Sequence, residues 1–410
     1  MTIPYQPTSD STDVTSPTQA GVSEAVLAAA RRAGSVIAQH TGTTERDRRL
    51  ARPVIDELRA AGLFRLFTPK ALSGLEIDPV TFARVVEEVS TFDSAAGWAF
   101  QAGNTGAWWT SRMSPEAVAE LYADGPDLML AASFSPPHRA EEVAGGYRVT
   151  GRGPLASTVH DSPWVMMSAI VFDGEKPRMT PMGPEVVAVV MPTAELEIID
   201  TWDSLGMRGT DSNDVVANSV FVPRSRAFHL RPDFVPAAPF DGPLYRLPAP
   251  VATYTIIAPV ALAIASNAIR ELRDIATTKV PLGSMKTARD RGAVQSAVAE
   301  AEAMVRSARV FFYDTLETAW SRALAREPFT LEHRADLMLA SSWAVRSAAR
   351  ATDLMHRMAG TTGIYTRSCL ERYFRDAQTV RHHGFVSEAR LETVGQVYLG
   401  VPPEFPFIVF

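Results

Sequence analysis

The chain has 410 residues, 46% of them hydrophobic and 21% charged, enough to bury a large core across two or three packed units. A formal net charge of −6 gives a nucleic-acid backbone no electrostatic hold. The single cysteine, Cys369, leaves no disulfide framework and no thiolate metal cluster, and it fits a reducing, cytoplasmic setting.

Residues 1–22, "MTIPYQPTSDSTDVTSPTQAGV", are rich in Ser, Thr and Pro and carry no apolar targeting core, so they read as a disordered leader. Residues 23–125 read as a helical domain. "VIDELRAAGLFRLFTP" and "DPVTFARVVEEVSTFDSAAGWAFQAG" space their apolar positions by three and four. The character then changes. Over 126–235 short β-branched runs such as "PWVMMSAIVF", "PEVVAVVMP" and "DVVANSVFVP" alternate with Gly, Pro and Asp turns, which predicts an antiparallel sheet domain. A Pro-rich connector leads into 245–400, where long Ala- and Arg-rich segments predict an antiparallel four-helix bundle. Residues 401–410 are left as a C-terminal tail. The uncharged stretch "LPAPVATYTIIAPVALAIASNAI" is broken by prolines and hydroxyls and reads as a buried helix, so no membrane span is expected.

Standard catalytic signatures are missing. The sequence has no H-E-x-x-H, G-x-S-x-G, Walker loop or G-x-G-x-x-G after a strand, and no His/Asp/Glu cluster with metal spacing. No metal site is expected. Three stretches remain, each with an ordinary structural reading beside the chemical one. "GGYRVTGRGPLASTVHDSPW" is a glycine hairpin feeding a strand that ends in hydroxyls. "TWDSLGMRGTDSNDVVANSVFVP" combines Gly206 and Gly209 with Thr210 and Ser212 in a loop able to approach a planar or anionic ligand. "MAGTTGIYTRSCLERYFRDAQTVRHHGF" sets two histidines and a glycine at what looks like a helix end.

In this order the three stretches resemble the acyl-CoA dehydrogenase superfamily over nearly the whole chain. "WDSLGMRGTDSNDV" with "VFVP" resembles its central-sheet signature, and "LERYFRDA" its last-helix signature. The resemblance implies an α+β fold with an N-terminal helical domain, a middle antiparallel β-barrel domain, a C-terminal four-helix bundle and usually a homotetramer. The Tyr-Glu-Gly-Thr motif that carries the glutamate base of many thioester dehydrogenases falls here on His383, Gly384, Phe385 and Val386, so the base position is a glycine. The family's Thr-Glu-Pro-x-x-Gly-Ser stretch is likewise replaced by "ASFSPPHRAEE".

A second branch fits better. "SFSPPHRAEEVAGGYRVTGRGPLAST" resembles the middle domain of two-component flavin monooxygenases. These take FMNH2 or FADH2 from a separate NAD(P)H-flavin reductase and oxygenate a small aromatic, heterocyclic or amine substrate through a C4a-hydroperoxyflavin. That resemblance implies catalytic roles for His383 (or its neighbour His382) and Ser157. It implies a flavin cradle of Ser133, Leu155, Ser157, Thr158, Trp202, Arg208, Thr210, Ser212 and Arg375, and pocket roles for Trp98, Asn104 and Trp108. Gly106 stands where aromatic hydroxylases of this group carry a histidine, which puts a phenolic substrate in doubt. The alternatives are an acyl-CoA dehydrogenase using FAD with a base elsewhere, Glu271 or Glu302, and a flavin-free binding subunit.

Overall fold

Residues 19–181, 183–232 and 234–410 are described in the computed structural model. The leader expected over 1–22 lies outside them through residue 18, and the first helix already begins at Gln19.

Among the described residues, five helices form the N-terminal part: α1 (Gln19–Asp47), α2 (Arg52–Ala60), α3 (Pro79–Phe92), α4 (Ser94–Thr110) and α5 (Pro115–Leu121). Their starts follow from local chemistry. The side chains of Asp78, Asp93 and Ser114 each accept a backbone N–H from the first turn of α3, α4 and α5. Pro79 and Pro115 pre-set the first helical residue behind two of these caps. Asp93 both ends α3 and starts α4, so the two helices turn on a single residue.

The described residues of the middle part form ten strands: β1 (Leu130–Val143), β2 (Gly146–Ala156), β3 (Trp164–Asp173), β4 (Lys176–Pro177), β5 (Met179–Thr180), β6 (Gly183–Pro184), β7 (Val186–Pro192), β8 (Glu197–Ile199), β9 (Asn213–Pro223) and β10 (Ala227–His229). The main sheet runs β10-β7-β3-β1-β2-β9-β8, with β4 beside β3, and β5 pairs with β6 apart from it. The expectation of a closed antiparallel barrel is corrected here: the sheet is open and mixed, because β1 and β3 run parallel. A register shift between Ser133 and His138 interrupts that parallel pair. The His138 ring fills the space left by Gly151 and Gly153, where any Cβ would meet it at 3.0 and 2.7 Å. Those two glycines thus serve internal packing.

The C-terminal part holds α6 (Ala258–Thr278), α7 (Gly292–Ala325), α8 (Leu331–Ala359), α9 (Cys369–Arg381) and α10 (Ala389–Tyr398). α8 packs on α6, α7, α9 and α10, and α6 also receives α3. Thr330 and His333 close a reciprocal capping box at the start of α8. The residues expected as a tail fold back: Ile408 is fully buried, and Phe405, Phe407 and Phe410 join the main core. That core runs through both helical parts, while the sheet keeps a smaller core of its own. Among the described residues no helix is long and apolar enough to cross a membrane, and no group of three or more His, Cys, Asp or Glu could hold a metal.

Candidate active site

The helical parts and the sheet meet around a row of hydroxyls. Trp98 on α4 donates its indole N–H to Ser157 Oγ at 3.1 Å. Ser157 Oγ lies 2.7 Å from Ser212 Oγ, which lies 2.7 Å from Thr210 Oγ1. Thr158 ties the two loops together through its N–H, which donates to Thr210 O. The backbone here is held far from its preferred conformations. Leu155 (φ 62°), Thr158 (φ 63°), Met207 (φ 55°) and Asp211 (φ 53°) all sit in the left-handed region, at a cost of about 1–2 kcal/mol each. Such strain persists only where surrounding structure enforces it. Leu155 is also 55% exposed, an apolar side chain standing open beside the hydroxyl row.

His383 follows the last turn of α9. Its ring meets Trp98 edge-on at 5.2 Å and Phe385 at 5.5 Å. The Phe385 N–H donates to Nδ1 at 3.3 Å, so a neutral imidazole carries its proton on Nε2. Enclosure by these rings pushes its pKa down to about 4, leaving the neutral form at physiological pH. His382 is exposed. Adjacent residues on a helix point about 100° apart, so only one of the pair turns inward. That residue is His383.

One buried carboxylate binds these parts to one another. Asp376 on α9 accepts the Met207 N–H at 2.6 Å and the Ser94 hydroxyl at the start of α4. The three elements carrying His383, the Thr210–Ser212 loop and Trp98 therefore converge on a single side chain. Arg372 offsets part of its charge, but burial dominates and raises the Asp376 pKa to about 6. Gly206 makes the convergence possible: a Cβ there would come within 2.3 Å of the Arg375 backbone. At Gly209 a Cβ would come within 2.2 Å of the Thr44 methyl. Both loop glycines thus seat the loop against helices rather than opening its backbone to a ligand.

Other residues singled out in the sequence are engaged differently. Arg208 pairs with Asp203 and approaches Glu45; Arg375 pairs with Glu45 and Glu371, so both guanidiniums are already held by carboxylates. Trp202 donates its indole N–H to Met207 O, and Ser133 donates to Pro154 O. Asn104 is fully buried and bridges Leu66 N, Leu63 O and Phe100 O, anchoring α4 rather than facing a pocket. Trp108 is buried too, with its indole on Leu244 O and Arg112 over its face at 3.8 Å. Of the three expected pocket residues, only Trp98 stands beside His383.

Sequence reasoning passed over most of the aromatic wall behind His383. Phe385 contacts Phe134, Tyr254, Phe405 and Phe407, and Trp109 extends the wall through Phe134 and Phe407. The aromatic density of "PPEFPFIVF" was the available signal. Asp376 was visible inside "RYFRDA", though its partners are distant in sequence.

The acyl-CoA dehydrogenase N-terminal domain matches residues 22–122, and the acyl-CoA dehydrogenase C-terminal domain matches residues 255–388. The chain is 32% identical over 367 residues to an indole-3-acetate monooxygenase from Pseudomonas putida, covering 88% of this chain and 90% of that one. It is 28% identical over 380 residues to the oxygenase component of an FADH2-dependent resorcinol hydroxylase from Rhizobium sp., with 88% and 90% covered. The structure of XiaF from Streptomyces sp., solved with FADH2 and glycerol, superposes with a TM-score of 0.87 at 24% identity, covering 95% of this chain and 98% of that one. Sequence and fold together lead to one conclusion: the chain belongs to the acyl-CoA dehydrogenase superfamily, on the branch of its flavin-dependent monooxygenase oxygenase components.

Proposed function

We propose that this chain is the oxygenase component of a two-component flavin monooxygenase. In this reading it works in the cytoplasm, takes FADH2 or FMNH2 from a separate NAD(P)H-dependent reductase, and inserts one oxygen atom of O2 into a small organic substrate. The observation that carries the reading is the juxtaposition of a neutral His383 with the Trp98–Ser157–Ser212–Thr210 row.

The residues present fit a flavin. Strained, exposed Leu155 offers an apolar face for a planar ring, and Ser157 beside it offers a hydroxyl already oriented by two neighbours. Bound there, reduced flavin supplies two electrons and the ring on which O2 is activated. Everything else falls to the protein. Ser157, Thr158, Thr210 and Ser212 hold and orient the ring, with Trp202 closing the loop. His383 presents an Nε2–H donor and brings no fixed charge toward the reacting oxygen. Phe385, Phe134 and Trp109 keep water away from it. The thioester-dehydrogenase alternative is weakened: Gly384 has no side chain, and Glu302 is paired with Arg306 on α7, which leaves Glu271 on α6 as its candidate base.

Assembly as a homotetramer is part of the proposal. Large apolar side chains stand exposed on the bundle, among them Val310, Trp343, Ile364 and Leu399, and they suit a subunit interface. Light scattering during gel filtration measures the state directly.

The deciding experiment mixes the anaerobic chain, loaded with reduced flavin, with oxygenated buffer in a stopped-flow cell. An oxygen-dependent absorbance transient lasting seconds before oxidised flavin appears is the expected result. Single-phase reoxidation at the rate of free flavin refutes the reading.

A further inference from the structure

The aromatic wall behind His383 ends at Arg390, which makes no ion pair among the described residues and feels Glu392 only at longer range. Arg390 lies in the first turn of α10, where the helix dipole already disfavours positive charge. Its guanidinium stacks on the Phe405 ring at 3.7 Å. Nε and Nη1 are both buried, and neither has a hydrogen-bond partner among the described residues. Two orphaned donors on one half-buried guanidinium are costly, because each forfeits its bonds to water. Beside it lies a second orphan. The Tyr254 hydroxyl is buried without a partner, within electrostatic reach of Arg390. Burial pushes the Tyr254 pKa upward, so its proton stays in place and available for donation.

These groups sit at the far end of one continuous run of rings. Tyr254 meets Phe385 edge-on at 5.3 Å, and Phe385 meets His383 at 5.5 Å. Another desolvated arginine shows what an accommodated cation looks like. Arg112 is sandwiched between Trp108 and Phe234 at 3.8 and 4.8 Å and donates to Ser111 Oγ. Arg390 has one ring face and no such bond.

We infer that Arg390 and Tyr254 form the recognition site for the carboxylate of an aromatic acid, whose ring lies along the wall toward His383. A carboxylate matches the donor set. Its two oxygens take the Nε–H and Nη1–H of a guanidinium in the paired geometry that arginine favours, and a lone pair remains for the tyrosine hydroxyl. The inference rests on the monooxygenase reading for what then happens to the ring, but not for the binding itself.

The test is therefore one of binding, made on the full chain with oxidised flavin, where no turnover occurs. Indole-3-acetate, phenylacetate and benzoate are titrated by calorimetry, each against its uncharged amide. We expect at least one acid to bind more tightly than its amide. Arg390→Met should weaken that acid by about tenfold to a hundredfold and the amide by no more than about threefold, and the retained amide binding also shows that the variant is folded. Arg390→Lys should keep part of the preference, and Tyr254→Phe should cost the acid about threefold to tenfold. Acids and amides binding alike, or Arg390→Met weakening both equally, would overturn the assignment. Oxygen uptake with reduced flavin separates the two readings. Charge-selective binding without substrate oxygenation leaves this site standing and refutes the monooxygenase. Oxygenation of uncharged aromatics with no charge preference does the reverse.

Discussion

Asp376 and His383 are oppositely displaced titrating groups in one site, and together they make a sharp prediction about stability. Asp376 titrates near 6 in the folded chain against an ordinary value near 4. Between those values the folded state holds a proton that the unfolded chain has released, so this contribution falls as pH rises through about 6. His383 titrates near 4 against an ordinary value near 6.5. There the unfolded chain holds the proton, so stability rises with pH across nearly the same window. Each slope is about 1.4 kcal/mol per pH unit over about two units, or roughly 3 kcal/mol, and the two nearly cancel.

Removing either one exposes the other. Asp376→Asn keeps an oxygen for the Met207 N–H and gives Ser94 an amide N–H to accept, so the change isolates the ionisation. Relative to wild type, Asp376→Asn should gain about 3 kcal/mol between pH 4 and pH 7. His383→Phe should lose a similar amount relative to wild type over that range. Asp93, also raised by burial, keeps its slope in His383→Phe; because it and Asp376 repel one another, it loses part of that slope in Asp376→Asn, which adds to the expected gain. Urea unfolding at half-unit steps of pH supplies the measurement. If both variants differ from wild type by offsets that do not change with pH, the ionisation states assigned to this site are wrong.

Four further outcomes are expected. His383→Val should lower product formed per O2 consumed by more than tenfold while O2 consumption continues, as read by an oxygen electrode with product chromatography; unchanged coupling removes His383 from the mechanism. Ser157→Ala should weaken flavin binding about tenfold, a fluorescence titration that returns the wild-type Kd if the hydroxyl row is only structural. Gly206→Ala should lower the melting temperature by several degrees, since its Cβ meets backbone at 2.3 Å. Gly384→Ala, with nothing within 4 Å, should leave melting nearly unchanged.

The order helices, sheet, helices was legible because period and turn chemistry change sharply near residues 126 and 245. The parallel pairing of β1 with β3 was not legible, since alternation within a strand says nothing about its neighbour's direction. At α4 the pattern failed for a definite reason. Nearly every residue from Ser94 to Thr110 is buried, so apolar spacing could not separate Trp98, which meets the site, from Asn104 and Trp108, which brace the core. The two adjacent histidines could be named from sequence, but choosing between them needed the phase of α9. Arg390 was hidden among the many arginines of the bundle. Its orphaned donors beside the unpartnered Tyr254 hydroxyl set it apart, and that juxtaposition exists only in three dimensions.

The hydroxyl row has a property beyond holding something in place. Trp98 can only give a proton to Ser157, whereas Ser157, Ser212 and Thr210 can each give or take one. The row therefore has two proton orders. In one, protons point from Thr210 toward Ser157, whose own hydrogen then faces outward; in the other they point back, and Ser157 turns a lone pair outward. Both satisfy every bond in the row. A bound atom that accepts a hydrogen bond when oxidised and donates one when reduced could be matched in either state, with nothing heavier than hydrogen having to move.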